Sequence, residues 1–406
     1  MNDHIGSCRE VALSVFQPTQ RDLDHGLALH ADSVVIDAYG FAPRAALDGD
    51  AVRAAMEAGA SDLELQDLTE EMSMARCVTD AGEREEFVGA WEASGVTCIV
   101  QNSGEEGQSV KQLLKRLARF TYVGDMLRGF LRRAALPEDI EAAKAEGLRC
   151  LYPTGNGVPL AEDWVSLEEE LRYIRIFFQL GIRMMHLTYN RRNMLGDGCA
   201  EPANAGLSDF GRAVIAEMNR VGVIVDVAHS GWRTSLEAAQ ASAKPMVASH
   251  SVCADVNHHI RGKPNEVIRA ICDTGGYIGI CCVPAFLGHG GDINALLDHI
   301  DHVVRTFGPD HVAIGTDTAY TSSRAAEEHA KVPSRGPSRK RWENFWPSDD
   351  PLFSSAWHKP EMAQSLAWAN WPLFTVGLVQ RGHSDDVIRK IIGGNVLRVA
   401  GAALGH

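Results

Sequence analysis

The chain has 406 residues, 45% of them hydrophobic and 23% charged, an ordinary globular balance that excludes a disordered or fibrous protein. A formal net charge of −14 argues against nucleic acid and anionic membranes as main partners, and no apolar run approaches the roughly 18–20 residues of a membrane span. The opening stretch MNDHIGSCREVALSVF has no basic region followed by an apolar one, so no secretory signal is expected. Nine cysteines without a CxxC pair, including Cys98, Cys150, Cys281 and Cys282 inside apolar runs, read as buried reduced thiols in a cytoplasmic protein.

Eight short apolar runs follow in chain order: VVIDAY (34–39), VTCIVQ (96–101), LRCLYP (148–153), RMMHLT (183–188), VIVDVA (223–228), PMVAS (245–249), YIGICC (277–282) and VAIGTD (312–317). They are nearly continuous rather than alternating, as parallel strands covered on both faces should be. Amphipathic stretches lie between them. One is DFGRAVIAEMNRVG, with Ser208 as N-cap and Gly222 as stop; another, PNEVIRAICDTGG, starts at Pro264. This rhythm predicts one α/β domain over 1–406, a (β/α)8 TIM barrel. A doubly wound sheet is the alternative, weakened by the absence of GxGxxG after the first run.

Two segments break the rhythm. The stretch 42–92 reads as a helical insertion after the first strand. The stretch 320–362 follows the eighth strand and mixes Pro, Ser, basic and aromatic residues. Loops after barrel strands lie at the face where active sites sit, so 320–362 is expected to be a lid with Trp342, Trp346 and Trp357 as pocket walls. The alternative is packing on a neighbouring subunit in a homodimer.

The residues at the strand ends should face the site. They are Tyr39 and Phe41, Asn102, Asn156, Tyr189, His229, His250 and Asp317, with Arg261 eleven residues after His250. Two imidazoles from consecutive strands and a carboxylate from the eighth make a His2Asp set for one divalent ion such as zinc, with an open position for water. The bland alternative is that both histidines are satisfied strand-capping residues.

The stretches GLSDFGRAVIAEMNRVGVIVDVAHSG, KPMVASHS, IRGKPNEVIRAICDTGGYIGICCVPAF, HVAIGTD and IIGGNVLRV resemble the membrane dipeptidase (renal dipeptidase, peptidase M19) family of the amidohydrolase superfamily. That resemblance implies a two-metal (β/α)8 hydrolase. It places His229 and His250 on the second metal, Arg261 on the substrate carboxylate, and Asp317 on the proton of the attacking water. Elsewhere the chain departs from the family pattern. Tyr39 and Phe41 stand where first-metal ligands are implied, Asn156 at the bridging glutamate, and Tyr189 at a substrate-binding histidine. Glu105 and Glu106 follow the second strand rather than the third and are not taken as the bridging group.

Phe41 cannot ligate a metal, and Asn156 has no charge to bridge two. One ion is therefore expected instead of two, held by His229 and His250 with Asp317 or Asn156 completing the set. The function this implies is a metal-dependent hydrolase of a dipeptide or other small carboxylate-bearing amide. One alternative is a non-hydrolytic enzyme, a lyase, decarboxylase or isomerase, using Tyr39, Tyr189 and Asn156 in the same pocket. The other is a non-catalytic binding descendant.

Overall fold

The computed structural model of the protein describes residues 3–106, 109–334 and 341–405. Residues 335–340 of the expected lid lie outside the described residues. The strands are β1 (Ile36–Gly40), β2 (Cys98–Asn102), β3 (Leu131–Arg133), β4 (Arg149–Gly155), β5 (Met184–His186), β6 (Ile224–Asp226), β7 (Val247–Cys253), β8 (Gly262–Lys263), β9 (Tyr277–Ile280) and β10 (Val312–Ile314). Their order is β1-β2-β4-β5-β6-β7-β9-β10, with β3 beside β4 and β8 beside β7. The pairings are parallel.

The sheet closes between its first and last strands. The Asp317 amide donates to the Tyr39 carbonyl at 3.0 Å, and the Thr316 amide and hydroxyl donate to the buried Asp37 carboxylate at 2.9 and 2.6 Å. The fold is thus a (β/α)8 barrel, and the doubly wound alternative is excluded.

Each apolar run contains or overlaps one barrel strand, but the ends differ. β7 continues to Cys253, past the expected 249, because its register shifts between Ala248 and Ser251 and its end then pairs with β8. β10 stops at Ile314, short of 317, where Asp317 takes φ +55, a left-handed conformation no strand continues through. β3 is three residues of which only Leu131 is buried, too short to read from the sequence.

Alternation along the strands divides the core. Ile36, Cys98, Val100, Tyr152, Met184 and Ile224 share one cluster. Val35, Ile99, Leu151, Met185 and Val225 pack in another with the helices. Helices Gly49–Glu57, Asp62–Thr79 and Ala81–Ser94 lie between β1 and β2. Ser208 caps the helix Asp209–Val221 by accepting from the Gly211 amide, and Gly222 ends it at φ 97. All nine cysteines are free thiols, eight of them buried. No helix among the described residues is long and apolar enough to cross a membrane.

Close backbone approach sets the barrel top. A Cβ on Gly279 or Gly315 would lie 1.9 or 2.0 Å from the Ser249 carbonyl oxygen, beside His250. Gly279→Ala should therefore destabilise the protein by about 1–3 kcal/mol, as overpacking does. Urea unfolding followed by circular dichroism measures it, and an unchanged midpoint would mean that the strand shifts freely.

Candidate functional site

Three imidazoles stand at the top of the barrel. His186 ends β5, His229 follows β6 and His250 lies in β7. Their ring centroids form a triangle with sides of 5.3, 5.2 and 4.9 Å. Each ring is held through Nδ1 by an oxygen. His186 meets Asn156 Oδ1 at 2.7 Å, His229 meets Asn190 Oδ1 at 2.7 Å, and His250 meets Ser249 Oγ at 2.8 Å. Ser249 gives its own proton to Asp226 Oδ2, so its oxygen accepts from His250. This orients each ring by its Nδ1 and leaves Nε2 as the atom each presents to the site.

Arg261 Nη2 lies 3.4 Å from His229 Nε2. His229 Nε2 and His250 Nε2 face each other at 2.9 Å. Burial, and next the Arg261 charge, hold both pKa values well below the usual histidine range. His186 Nε2 lies 2.6 Å from Asp226 Oδ2, yet no hydrogen bond is aligned on it. Burial opposes ionisation of Asp226, but His186 and Ser249 outweigh it and hold the carboxyl below its ordinary value. Among the described residues, the group of metal-ligating side chains whose atoms lie within 4.8 Å of one another is His186, Asp226 and His250.

This donor set fits a divalent cation. Imidazoles oriented through Nδ1, with a carboxylate alongside, are the ligand types a zinc-type ion takes. The Tyr39 ring is stacked on His250 with centroids 3.7 Å apart, and the Asn156 amide is engaged by His186. Of the expected ligands His229, His250 and Asp317, only His250 belongs to this group, and the carboxylate beside it is Asp226 rather than Asp317.

Above this floor lies a cavity of about 470 Å³, lined by Tyr189, His229, Arg261, Asp317, Glu106, Arg44 and the aromatic rings of Phe41, Phe286, Trp342 and Trp346. Asp317 lies on its wall, and among the described residues its carboxylate accepts no hydrogen bond. Burial pushes its pKa up to about 6 despite the nearby Arg261 charge. Tyr189 stacks on His229 at 4.1 Å and meets the edge of Phe345 at 5.4 Å. Burial and the neighbouring acids Glu106 and Asp317 hold its phenol well above the ordinary range, so it stays a donor. Arg261 is fully buried. It donates to the Ala228 carbonyl and, at 2.9 Å, to the His250 carbonyl, while its Nε–H has no partner.

The structure thus brings Tyr189, His229, Arg261 and Asp317 to one cavity, with His250 just beneath. Two expected pocket residues are placed differently. Tyr39 is a plate on His250, 1% exposed, and does not line the cavity, since β1 points its ring across the barrel axis. Asn156 is turned to His186 and lines a small side recess. Of the expected tryptophan walls, Trp342 and Trp346 line the cavity, whereas Trp357 packs against Gly291 outside it. Sequence reading passed over His186 and Asp226, which sit inside runs read as plain strands. A histidine and an aspartate on the inward alternation of two neighbouring parallel strands were the available signal. Glu106, set aside as a bridging group, lines the cavity mouth.

A family model described as membrane dipeptidase (peptidase family M19) matches residues 25–333. Over 266 residues the chain is 27% identical to dipeptidase tcpJ of Claviceps purpurea, covering 64% of this chain and 54% of that protein. Over 150 residues it is 33% identical to an uncharacterized dipeptidase of Schizosaccharomyces pombe, covering 36% of this chain and 37% of that protein. The chain spans about half the length, or less, of the curated relatives it matches. Among solved structures, an amidohydrolase from Pseudomonas aeruginosa superposes with a TM-score of 0.68 at 24% identity, over 94% of this chain and 99% of that one. The peptidase family M19 dipeptidase AC gives 0.61 at 16% identity, over 82% and 96%. These superpositions show the shared barrel fold.

Proposed function

The chain belongs to the membrane dipeptidase family, peptidase family M19, and from that premise we propose that it is a metal-dependent hydrolase of a dipeptide or other small carboxylate-bearing amide, working with one divalent ion. The observation that carries this reading is the pair of Nε2 atoms of His229 and His250, 2.9 Å apart at the floor of a cavity that also holds Asp317 and Arg261. His229 and His250 would hold the ion, zinc by donor chemistry, with the His186–Asp226 side completing the set. When bound, the ion lowers the pKa of water and polarises the amide carbonyl.

The chain's own residues supply the rest. Asp317, ionised above about pH 6, takes the proton of the attacking water. Arg261 offers its unpaired Nε–H edge to the substrate carboxylate while its other donors tie Ala228 and His250 in place. Tyr189 donates its phenol proton to the oxygen on which charge develops. Within the expected lid, Trp342 and Trp346 exclude water from the mouth. The non-hydrolytic alternative has less support, since of Tyr39, Tyr189 and Asn156, which motivated it, only Tyr189 lines the cavity, while Tyr39 and Asn156 are engaged with His250 and His186.

Tyr189→Phe should lower kcat by about 10²-fold with little rise in KM, because that hydrogen bond strengthens as charge develops. A rise in KM alone would make Tyr189 a ground-state binding residue. The proposal as a whole is tested by assaying metal-replete protein against a broad dipeptide panel alongside elemental analysis. Turnover with one ion per chain is expected. Bound metal without turnover of any dipeptide would overturn the hydrolase reading.

A further inference from the structure

Beside the mouth, between the helices that follow β1 and the barrel, lies a second cavity of about 360 Å³, lined by Phe41, Arg44, Ser73, Asn102 and Arg116 among others. It shares Phe41 and Arg44 with the mouth cavity. Arg44 is exposed where the two meet. Its guanidinium carbon stands 4.7 Å from the Phe41 ring centroid. Its backbone is fixed to the chain leaving β10: its amide donates to the Tyr320 carbonyl at 2.8 Å, and its carbonyl accepts from the Ser322 amide at 3.0 Å.

Glu70, the carboxylate that lines the same recess, is matched by other partners. Glu70 is paired with Arg116 at 2.7 Å and Arg119 at 3.1 Å and accepts from Gln112, and against the effect of burial these bonds, Arg116 foremost, hold its carboxyl down at about 2. Asp317 and Glu70 act on Arg44 through space. Among the described residues, however, no carboxylate comes within ion-pair distance of the Arg44 guanidinium. An unmatched guanidinium in a concave, polar-lined recess favours a bidentate carboxylate. Phe41 gains a reason here as well. Where the family resemblance puts a metal ligand, its ring partitions the two cavities and supports Arg44.

We propose that Arg44 forms a second anion subsite, so that the preferred substrate is a dicarboxylic amide, a dipeptide with an acidic side chain, whose extra carboxylate sits on Arg44 while Arg261 takes the other. This rests on the hydrolase reading of the mouth.

Binding separates the two ideas. In calorimetry on the metal-replete protein, glutarate should bind at least about tenfold more tightly than valerate, the increment of one charge-assisted pair. Arg44→Met should abolish that preference, and Arg44→Lys should keep part of it. In turnover, the ratio of kcat/KM for Ala-Glu over Ala-Gln should fall about tenfold in Arg44→Met. If no dipeptide is cleaved but the glutarate preference and its loss in Arg44→Met are seen, the hydrolase reading fails and the subsite stands. Equal binding of glutarate and valerate by the unaltered protein, or an undiminished preference in a folded Arg44→Met, overturns the subsite. Should Arg44→Met not fold, Arg44→Gln takes its place with the same expected loss.

Discussion

Asp317→Asn should lower kcat by about 10²–10⁴ and at the same time make the protein more stable at neutral pH. The first effect follows from removing the base that takes the proton of water. The second follows from where the carboxylate is kept. Burial raises its pKa from 3.8 to about 6, and its backbone sits at φ +55. A carboxyl whose folded pKa is raised favours the fold while protonated. That contribution is complete below about pH 4 and is lost as pH rises through about 6. Asparagine carries no charge to bury and tolerates the left-handed region well. The melting temperature of Asp317→Asn should therefore exceed that of the unaltered protein by a margin that widens between about pH 4 and 6. In the unaltered protein, kcat/KM should climb with pH to a plateau above about 6. A variant with full activity, or an acidic limb that survives in Asp317→Asn, would remove Asp317 from the mechanism. Loss of activity together with gained stability separates a functional residue from a structural one.

His250→Ala should abolish metal binding and with it all turnover. His250 is shared by both groupings of donors, facing His229 through Nε2 and lying within ligand range of His186 and Asp226. Its imidazole is neutral at ordinary pH, so its lone pair is available to an ion. Elemental analysis should give one ion per chain in the unaltered protein and none in His250→Ala. The variant also removes a fully buried ring stacked on Tyr39, so its fold must be verified by near-ultraviolet circular dichroism. Two ions in the unaltered protein would show that Tyr39 and Asn156 do not block the second position. One ion retained in a folded His250→Ala would place the metal elsewhere.

Much of the barrel was legible in the chain. Parallel strands covered on both faces must be apolar throughout, and helix ends need polar or glycine caps. The eight runs, Ser208 and Gly222 therefore announced themselves locally. The rim residues Tyr189, His229 and Asp317 were legible for the same reason, since a barrel strand's C-terminal end faces the site. Composition alone set the class, a globular acidic chain without an apolar span.

Contacts across the barrel were not legible, because they depend on how strands far apart in sequence come into register. His186 looked like part of a strand until β5 set it between Asn156 and Asp226. Tyr39 looked like a pocket phenol until barrel closure laid its ring on His250, 211 positions along the chain. Arg44 sits in no recognisable pattern. Its meaning comes from two cavities that share it in their lining and from the pairing of Glu70 with other arginines. Helix caps and strand patterns are local properties of the chain. The protonation, pairing and accessibility of a polar group are set by every element packed against it, and closure of the barrel brings those elements together.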